Sequence, residues 1–453
     1  MLRARISALE EENVLLRGRL ADSVFVDDRR RRCVELACFG RNVSLRGTRE
    51  ILEAAYGTDH QPSLDELQAR MRWHGLVAGA LLDEAVDTVR DTLPCVAADD
   101  VYFHRVDVKP IIEPVSNAIL DVRRSTGPTT QVWTERLRRF PNLSLLVSDL
   151  GGDLCAAAGA CGIEHQADYW HEMRIFDDVL SDLSKAEARQ RKEASPLRGF
   201  EGWDDDRSLG FTARMQAVNG LEDAFFAIAE AQESIRLLHH PIDPETQQLW
   251  TPDRIAARLR DTLRRLDAHP GARRIAKHIR THGKRYTAHI GLFDHIPVIL
   301  HEGTHWERAS VIRGVVRLRG IEQGLADPTQ WRNYADFLDR QRLARELRKR
   351  LRSACLNFDA VDEAVDRECS RPRRSSSCVE SLNNRLRVMQ MVHRKVSDEM
   401  LALTALRWNL TPRTQPSHRG RSPYEVLGVD WGQRDKRWYE VLLDAESARG
   451  LAA

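Results

Sequence analysis

Three acidic residues lie at positions where enzyme sites commonly form. Asp99 falls within an apolar run predicted as a strand, and Asp149 closes another such run just before two glycines. Glu380 lies near the start of a late amphipathic helix. The ends of strands in an α/β sheet collect functional side chains, and carboxylate oxygens are the hard ligands that Mg²⁺ prefers. Taken singly, each residue would equally be a solvated or capping acid.

The surroundings of Glu380 suit a phosphate backbone. Helical spacings of three, four and seven residues place Asn383, Asn384 and Arg387 on the same helix face as Glu380. The pattern therefore predicts a carboxylate flanked by amide and guanidinium donors.

A second motif has the form of a zinc site. His301, Glu302 and His305 fit the pattern H-E-x-x-H, in which both histidines face one side of a helix. Gly303 within the motif weakens that helix, and no third-ligand motif of the metzincin type follows. With 16 histidines in the chain, a chance match is the simpler interpretation, and a zinc metalloprotease is kept only as an alternative.

The bulk composition predicts a globular protein of several domains. The chain has 453 residues, of which 42% are hydrophobic, enough for two or three cores. It contains no long uncharged apolar run, and its first residues form a charged heptad pattern unlike a secretory signal. We therefore expect a cytoplasmic location and no membrane partner. The eight cysteines include no C-x-x-C pair, which argues against a zinc ribbon or a disulfide scaffold.

Positive charge is clustered although the net charge is only +2. Guanidinium groups match phosphate oxygens, so five clusters together favour a nucleic acid partner, while each alone is more often a solvated helix face. The clusters span residues 29–32, 273–285, 345–352, 371–374 and 413–421.

Residues 1–24 have the pattern of a coiled coil. Apolar residues and one asparagine alternate at spacings of four and three: Leu2, Ile6, Leu9, Asn13, Leu16 and Leu20. A single Asn on such a seam fixes register and favours a two-stranded pairing. The pattern predicts a homodimer, although so short a helix would equally pack on its own chain.

Residues 27–90 are predicted to be helical, with turns near residues 40–43 and 57–62. Ser63 and Glu66 form a capping box that opens the last helix. Helices joined by a turn favour a helix-turn-helix DNA-binding domain, in which we expect Arg46 and Arg70 to contact DNA. A small helical bundle would have the same pattern.

Strand patterns begin only after this region. They cover residues 95–103, 108–115, 118–122 and 143–148, with a helix at 133–140, another from about Asp153 and a short β-type run at 164–170. This order predicts an α/β core. Helical patterns follow for some two hundred residues, including a start at Thr251 and Pro252. A last helix is predicted from Val379 to about Leu410, followed by a peripheral tail from Trp431.

Several motifs together resemble the DDE-type transposases of bacterial insertion sequences, over roughly residues 30 to 430. The motifs are Ala98-Asp99-Asp100-Val101-Tyr102-Phe103, Glu113-Pro114-x-Ser116, Trp133, Val147-Ser148-Asp149-x-Gly151, Gln166-x-Asp168-x-x-His171, Ser377-x-Val379-Glu380-Ser381-Leu382-Asn383, Arg407-Trp408-Asn409 and Gly420-Arg421-Ser422-Pro423-Tyr424-Glu425-x-Leu427-Gly428.

The resemblance implies an α/β ribonuclease H-like catalytic core interrupted by a large all-α insertion. In that fold the first Asp lies on the first strand, the second follows the fourth strand, and the Glu lies on a late helix. The implied organisation is a dimerisation helix at 1–24, a helix-turn-helix domain at 27–90, core segments at 93–175 and 373–430, the helical insertion at 176–372 and a tail at 431–453.

The resemblance also implies the chemistry. Asp99, Asp149 and Glu380 would bind two Mg²⁺ or Mn²⁺ ions, which activate water and stabilise the leaving oxygen in phosphodiester hydrolysis and strand transfer. Asp99 aligns with the first Asp of the family, and Asp100 is the alternative. Further residues follow by position: Asp168 and His171 as accessory groups, and Asn383, Arg387, Arg373 and Arg374 as DNA contacts.

The implied partners are the double-stranded terminal inverted repeats and target DNA, bound by a homodimer or higher oligomer that is nucleoid-associated when on DNA. The alternative is a transposase-derived DNA-binding protein without catalysis.

Overall fold

The structure is a computed structural model. It describes residues 28–57, 62–125, 127, 129–195, 205–243, 246, 248–327, 329, 331–370, 375–414, 418–431 and 435–449. The predicted coiled coil at 1–24 and the predicted DNA contacts Arg373 and Arg374 lie outside the described residues.

Three helices precede the sheet, as predicted. They are α1 (Asp28–Gly40), α2 (Leu45–Tyr56) and α3 (Leu64–Val89). The side chain of Ser44 caps α2 by accepting a hydrogen bond from the Gly47 N–H. Ser63 and Glu66 form the predicted capping box of α3. The turns between the helices therefore lie where the sequence pattern placed them.

A mixed sheet forms the centre of the molecule. Its strands are β1 (Cys95–Ala98), β2 (Val101–Phe103), β3 (Val106–Ile112), β4 (Ile119–Arg124), β5 (Leu145–Ser148) and β6 (Glu164–Ala167). The spatial order is β4, β3, β1, β5, β6, with β2 also paired to β3. Strand β3 is antiparallel to β1, β2 and β4, whereas β5 and β6 continue parallel to β1. The predicted α/β core is thus present.

Strands β1 and β2 are one interrupted strand. Both pair with β3 in the same register, Ala98 opposite Ile111 and Val101 opposite Val108. In that register, Pro110 lies opposite the break, and proline has no N–H to donate to the ladder. The prediction of one unbroken strand was therefore wrong at Asp99 and Asp100, which lie in the break.

Helices cover both faces of the sheet. Between the strands lie α4 (Thr129–Leu137) and α5 (Gly152–Cys161), and α6 (Tyr169–Ala194) follows β6. Alternate residues of β1 face opposite layers, as strand geometry requires: Ala97 packs with the C-terminal helices, and Val96 packs with Trp133 of α4. The β-type run predicted to reach residue 170 ends at Ala167, because Asp168 caps α6.

The described residues of the region predicted as an all-helical insertion are mostly helical, with one short hairpin and a non-helical segment at 296–307. Its elements after α6 are α7 (Asp205–Leu238), β7 (Ile242–Asp243), β8 (Gln248–Leu249), α8 (Pro252–Asp267), α9 (Arg273–His282), α10 (Arg308–Ala326), α11 (Tyr334–Ala354) and α12 (Phe358–Ser370). Strands β7 and β8 pair antiparallel. Helix α8 starts as predicted, with Thr251 as cap and Pro252 in the first turn. The predicted boundary after residue 175 falls inside α6.

The C-terminal part differs from the prediction in two ways. It forms α13 (Ser375–Val392), α14 (Asp398–Leu410), α15 (Pro423–Leu427) and α16 (Trp438–Ala448). The single predicted helix is divided because the Ser397 side chain caps a new helix by accepting from the Met400 N–H. The tail predicted as peripheral is part of the core, since α16 packs on α1 and α3 and buries Trp438, Leu442 and Leu443.

No helix within the described residues is both long and apolar enough to span a membrane.

Candidate active site at the carboxyl ends of the central strands

Asp99 and Asp149 follow neighbouring parallel strands. The register pairs Ala97 of β1 with Val147 of β5, and each aspartate lies two residues beyond that pair. The carboxyl ends of parallel strands meet at one edge of a sheet, so the two acids are brought together there.

The two carboxylates influence each other strongly. Burial and the negative charge of Asp149 together raise the pKa of Asp99 to about 7, against an opposing effect of His171. Each carboxylate accepts one backbone hydrogen bond at Oδ1: Asp99 from the Asp100 N–H at 2.8 Å, and Asp149 from the Gly151 N–H at 3.0 Å. Two half-buried acids face each other here, a pairing that favours a proton or a cation between them.

Gly151 allows the chain to turn tightly around Asp149. A Cβ atom at residue 151 would lie 2.9 Å from Asp149 Oδ1, closer than such contacts normally come. Gly151 is also the N-terminal cap residue of α5. The pair of glycines noted in the sequence therefore includes one that the position of the carboxylate requires.

Asp100 has a different environment from Asp99. Its carboxylate pairs with the Lys109 ammonium, which is fully buried, and accepts a hydrogen bond from Trp133 Nε1 at 3.3 Å. Lys109 Nζ also lies 2.8 Å from Asp107 Oδ2. Burial raises the pKa of Asp100, and Lys109 opposes that rise. Of the two alternatives, this arrangement favours Asp99 as the metal ligand, since Asp100 already has a cation.

The sequence analysis missed Lys109. The signal for it was a lysine between apolar residues of β3, because a buried ammonium needs an acidic partner. Of its two partners, Asp100 was considered only as the alternative to Asp99, and Asp107 had no assigned role.

Asp168 and His171 lie beside the two acids. Asp168 is 1% exposed, caps α6 through the Trp170 N–H and lies 3.0 Å from His171 Nδ1. The hydrogen bond to Asp168 raises the pKa of His171, and the charges of Asp99 and Asp149 raise it as well. Burial of the imidazole has the opposite effect on this pKa. Asp168 therefore orients an imidazole whose protonated form is favoured next to the carboxylate pair.

Glu380 lies on α13, which packs against β1, β5 and α6. One face of α13 is buried through Val379, Leu382, Leu386 and Met389. The Glu380 side chain is 45% exposed, and its Oε1 lies 3.9 Å from Arg387 Nη1. Across the described residues, no group of three His, Cys, Asp or Glu side chains is placed to hold one ion. The structure thus brings Asp99, Asp149 and His171 together, without gathering Glu380 into a three-ligand group.

The predicted DNA contacts differ in their surroundings. Arg387 is exposed and donates to Asn384 Oδ1 at 3.3 Å, whereas Oδ1 of Asn383 is buried without a hydrogen-bond partner. Arg46 is exposed on α2. Arg70 forms an ion pair at 2.8 Å with Glu35 Oε1, whose side chain is buried. Arg70 therefore links two helices within the chain.

The zinc-protease motif does not form its site. Residues 301–305 are not helical, Gly303 has a φ of 75°, and His301 and His305 are exposed. Because an H-E-x-x-H site requires both histidines on one helix face, the metalloprotease alternative is wrong on geometry.

No protein-family model matches the chain, and no curated protein is significantly similar to it. The functional assignment accordingly depends on the motifs and on the geometry described above.

Proposed function

We propose that this chain is a DDE-type DNA transposase of a bacterial insertion sequence, which cleaves and joins DNA strands at Asp99, Asp149 and Glu380. The observation that carries the proposal is the convergence of Asp99 and Asp149 at the ends of two neighbouring parallel strands.

The architecture supports a ribonuclease H-like core. If β1 and β2 count as one strand, β5 is the fourth strand, and Asp149 follows it. Three antiparallel strands followed by two parallel ones, with the first strand central, are compatible with that fold. The helices between β6 and α13 have the place of the insertion that the resemblance implies.

The carboxylate pair fits divalent metal ions. Asp99 and Asp149 present hard oxygen ligands, and their Oδ2 atoms form no hydrogen bond to other described residues. The raised pKa of Asp99 reflects a negative charge that a cation would stabilise. Mg²⁺ or Mn²⁺, when bound, supplies activation of water and stabilisation of the leaving oxygen. Asp99, Asp149 and Glu380 would hold the two ions.

The neighbouring residues have roles of their own. Asp168 fixes Nδ1 of His171, which leaves Nε2 as the atom that can donate a hydrogen bond or hold a proton beside the carboxylates. Asn383 and Arg387, on the same helix as Glu380, would position the DNA backbone. In the same proposal, the duplex inverted repeats and target DNA are bound by a homodimer or higher oligomer.

The alternative is a transposase-derived DNA-binding protein without catalysis. One observation favours it: the carboxylate of Glu380 pairs with Arg387 rather than joining the two aspartates in a three-ligand group.

The test is Mg²⁺-dependent nicking of a labelled duplex that carries the inverted repeat flanking the coding sequence. We expect wild type to nick the duplex, and Asp149→Ala and Glu380→Ala to bind it without nicking. Asp178→Ala removes an exposed carboxylate on α6 and is the matched control, with activity unchanged. Binding by wild type without any nicking would establish the non-catalytic alternative, and absence of both would overturn both proposals.

A further inference from the structure

A groove beside α13 is lined by arginines from three distant parts of the chain. Arg41 follows α1, Arg385 lies on α13 and Arg407 lies on α14, and together with Asn42 and Asn384 they line a groove of about 440 Å³. The groove therefore presents guanidinium and amide donors from separate elements to one space.

Trp408 also lines the groove, and its ring contacts Arg385 of the groove and a further arginine, Arg413, outside the lining. Its indole is 6% exposed and is anchored by a hydrogen bond of 2.7 Å from Nε1 to the carbonyl oxygen of Asn117. The guanidinium of Arg413 lies 4.0 Å from the centre of the ring, and that of Arg385 lies 5.4 Å from it. Stacking on an indole face orients both guanidiniums while leaving part of their hydrogen-bonding capacity unused.

These arginines lack counter-charge. Among the described residues, none of Arg41, Arg385, Arg407 and Arg413 forms an ion pair with a carboxylate, and Nε and Nη2 of Arg413 are enclosed without a hydrogen-bond partner. Arg29, by contrast, forms an ion pair with Asp444.

The crowding of these guanidiniums is electrostatically unfavourable. Burial, together with the charges of Arg385 and Arg41, lowers the pKa of Arg407 to about 10. Burial and Arg385 likewise lower the pKa of Arg413 to about 10. A bound anion would relieve the mutual repulsion of these guanidiniums.

We propose that this arginine groove binds a phosphodiester group of the DNA backbone. The planar guanidinium fork matches two phosphate oxygens, and the amides of Asn42 and Asn384 add neutral donors. Asn384, which lines the groove, lies four residues beyond Glu380 on α13, so it shares a helix face with Glu380 about one turn away. A strand held at the acidic site would thus continue into the groove, and in this respect the inference rests on the proposed function and extends it.

The test is binding of a fluorescent duplex of arbitrary sequence by the full chain, measured by anisotropy over a series of salt concentrations. Each lost phosphate contact lowers the slope of log affinity against log salt by about one. We expect the double variant Arg385→Gln/Arg407→Gln to lose about one unit of slope and about tenfold in affinity at low salt. Arg41→Gln, which replaces an exposed side chain, is also expected to lower the salt slope and the affinity.

Arg317→Gln is the matched control, because Arg317 is exposed on α10 and is not part of the groove; it leaves slope and affinity unchanged. Circular dichroism checks the fold of each variant, and if the double variant does not fold, Arg41→Gln decides. If the folded groove variants keep the steep salt dependence of wild type, the groove proposal is wrong and the proposed function is unaffected. Absence of wild-type binding overturns the proposed function as well. Tighter binding of the same duplex as RNA, lost in the groove variants, overturns the assignment to DNA.

Discussion

Lys109 pairs with Asp100 across the break between β1 and β2, and its side chain is completely buried. Because of this ion pair, the two adjacent acids have different electrostatic environments. Asp100 is stabilised by a cation of the protein, whereas Asp99 faces the like charge of Asp149.

Asp99→Asn and Asp100→Asn are expected to have opposite effects. Asp99→Asn removes one of two facing carboxylates, so at pH 8 and without metal the free energy of unfolding rises by about 1–3 kcal/mol. Asp100→Asn leaves the buried Lys109 with Asp107 as its only carboxylate partner. This substitution therefore lowers the free energy of unfolding by about 1–3 kcal/mol. Urea unfolding with and without Mg²⁺ measures both. Stabilisation by Mg²⁺ should be lost only in Asp99→Asn; its loss only in Asp100→Asn would transfer the ligand role to Asp100.

Gly151→Ala is expected to abolish nicking while the protein stays folded. The added Cβ would lie 2.9 Å from Asp149 Oδ1 and displace that carboxylate. Gly152→Ala is the matched control, because nothing lies within 4 Å of a Cβ at that position. Nicking rates and thermal unfolding of the two variants are to be compared. Equal activity of both would show that the position of the Asp149 carboxylate is not critical.

His165 is expected to make stability depend on acid pH. It is 8% exposed, its Nε2 lies 2.7 Å from Ser148 Oγ, and burial together with Arg285 lowers its pKa to about 4. The unfolded chain therefore binds a proton between pH 6.5 and 4 that the folded chain does not, and stability falls as the pH falls through this window.

His165→Gln removes this dependence. The free energy of unfolding of wild type relative to His165→Gln should drop by roughly 3 kcal/mol between pH 6.5 and pH 4. His295→Gln, at an exposed position, shows no such change relative to wild type. Urea titrations at several pH values measure the difference. If the difference in unfolding free energy between wild type and His165→Gln does not change with pH, His165 takes up its proton in the folded protein as readily as in the unfolded chain.

Glu446→Ala is expected to detach the C-terminal helix. Glu446 is 2% exposed, and its two oxygens lie 2.5 Å from His74 Nδ1 and 3.3 Å from Arg32 Nη1. Breaking a buried pair costs about 3–5 kcal/mol. The control, Glu84→Ala, breaks an exposed pair with Arg449 between the same helices and costs less than about 1 kcal/mol. Equal losses, measured by urea unfolding, would show that α16 is a peripheral element.

Local chemistry made much of the fold predictable. The capping box of Ser63 and Glu66 and the start of α8 at Thr251 depend on residues within one helical turn. Likewise, Asp149 closes an apolar run, so its place at a strand end follows from neighbours in sequence. Patterns of this kind also identified Asp99 and Glu380 as candidates, whereas Asp168 and His171 were implied by the family resemblance.

Other features depend on contacts between distant segments. The break at Asp99 reflects Pro110 on the paired strand. The C-terminal tail is buried because α1 and α3 cover it. The arginine groove joins residues near 41, 385 and 407.

The sequence by itself thus determined the order of helices and strands and the acids at their ends, because hydrophobic periodicity and caps act over a few residues. Only the tertiary structure decided which acid is neutralised by Lys109 and which arginines remain unpaired, because charges interact through space and their partners lie far away along the chain.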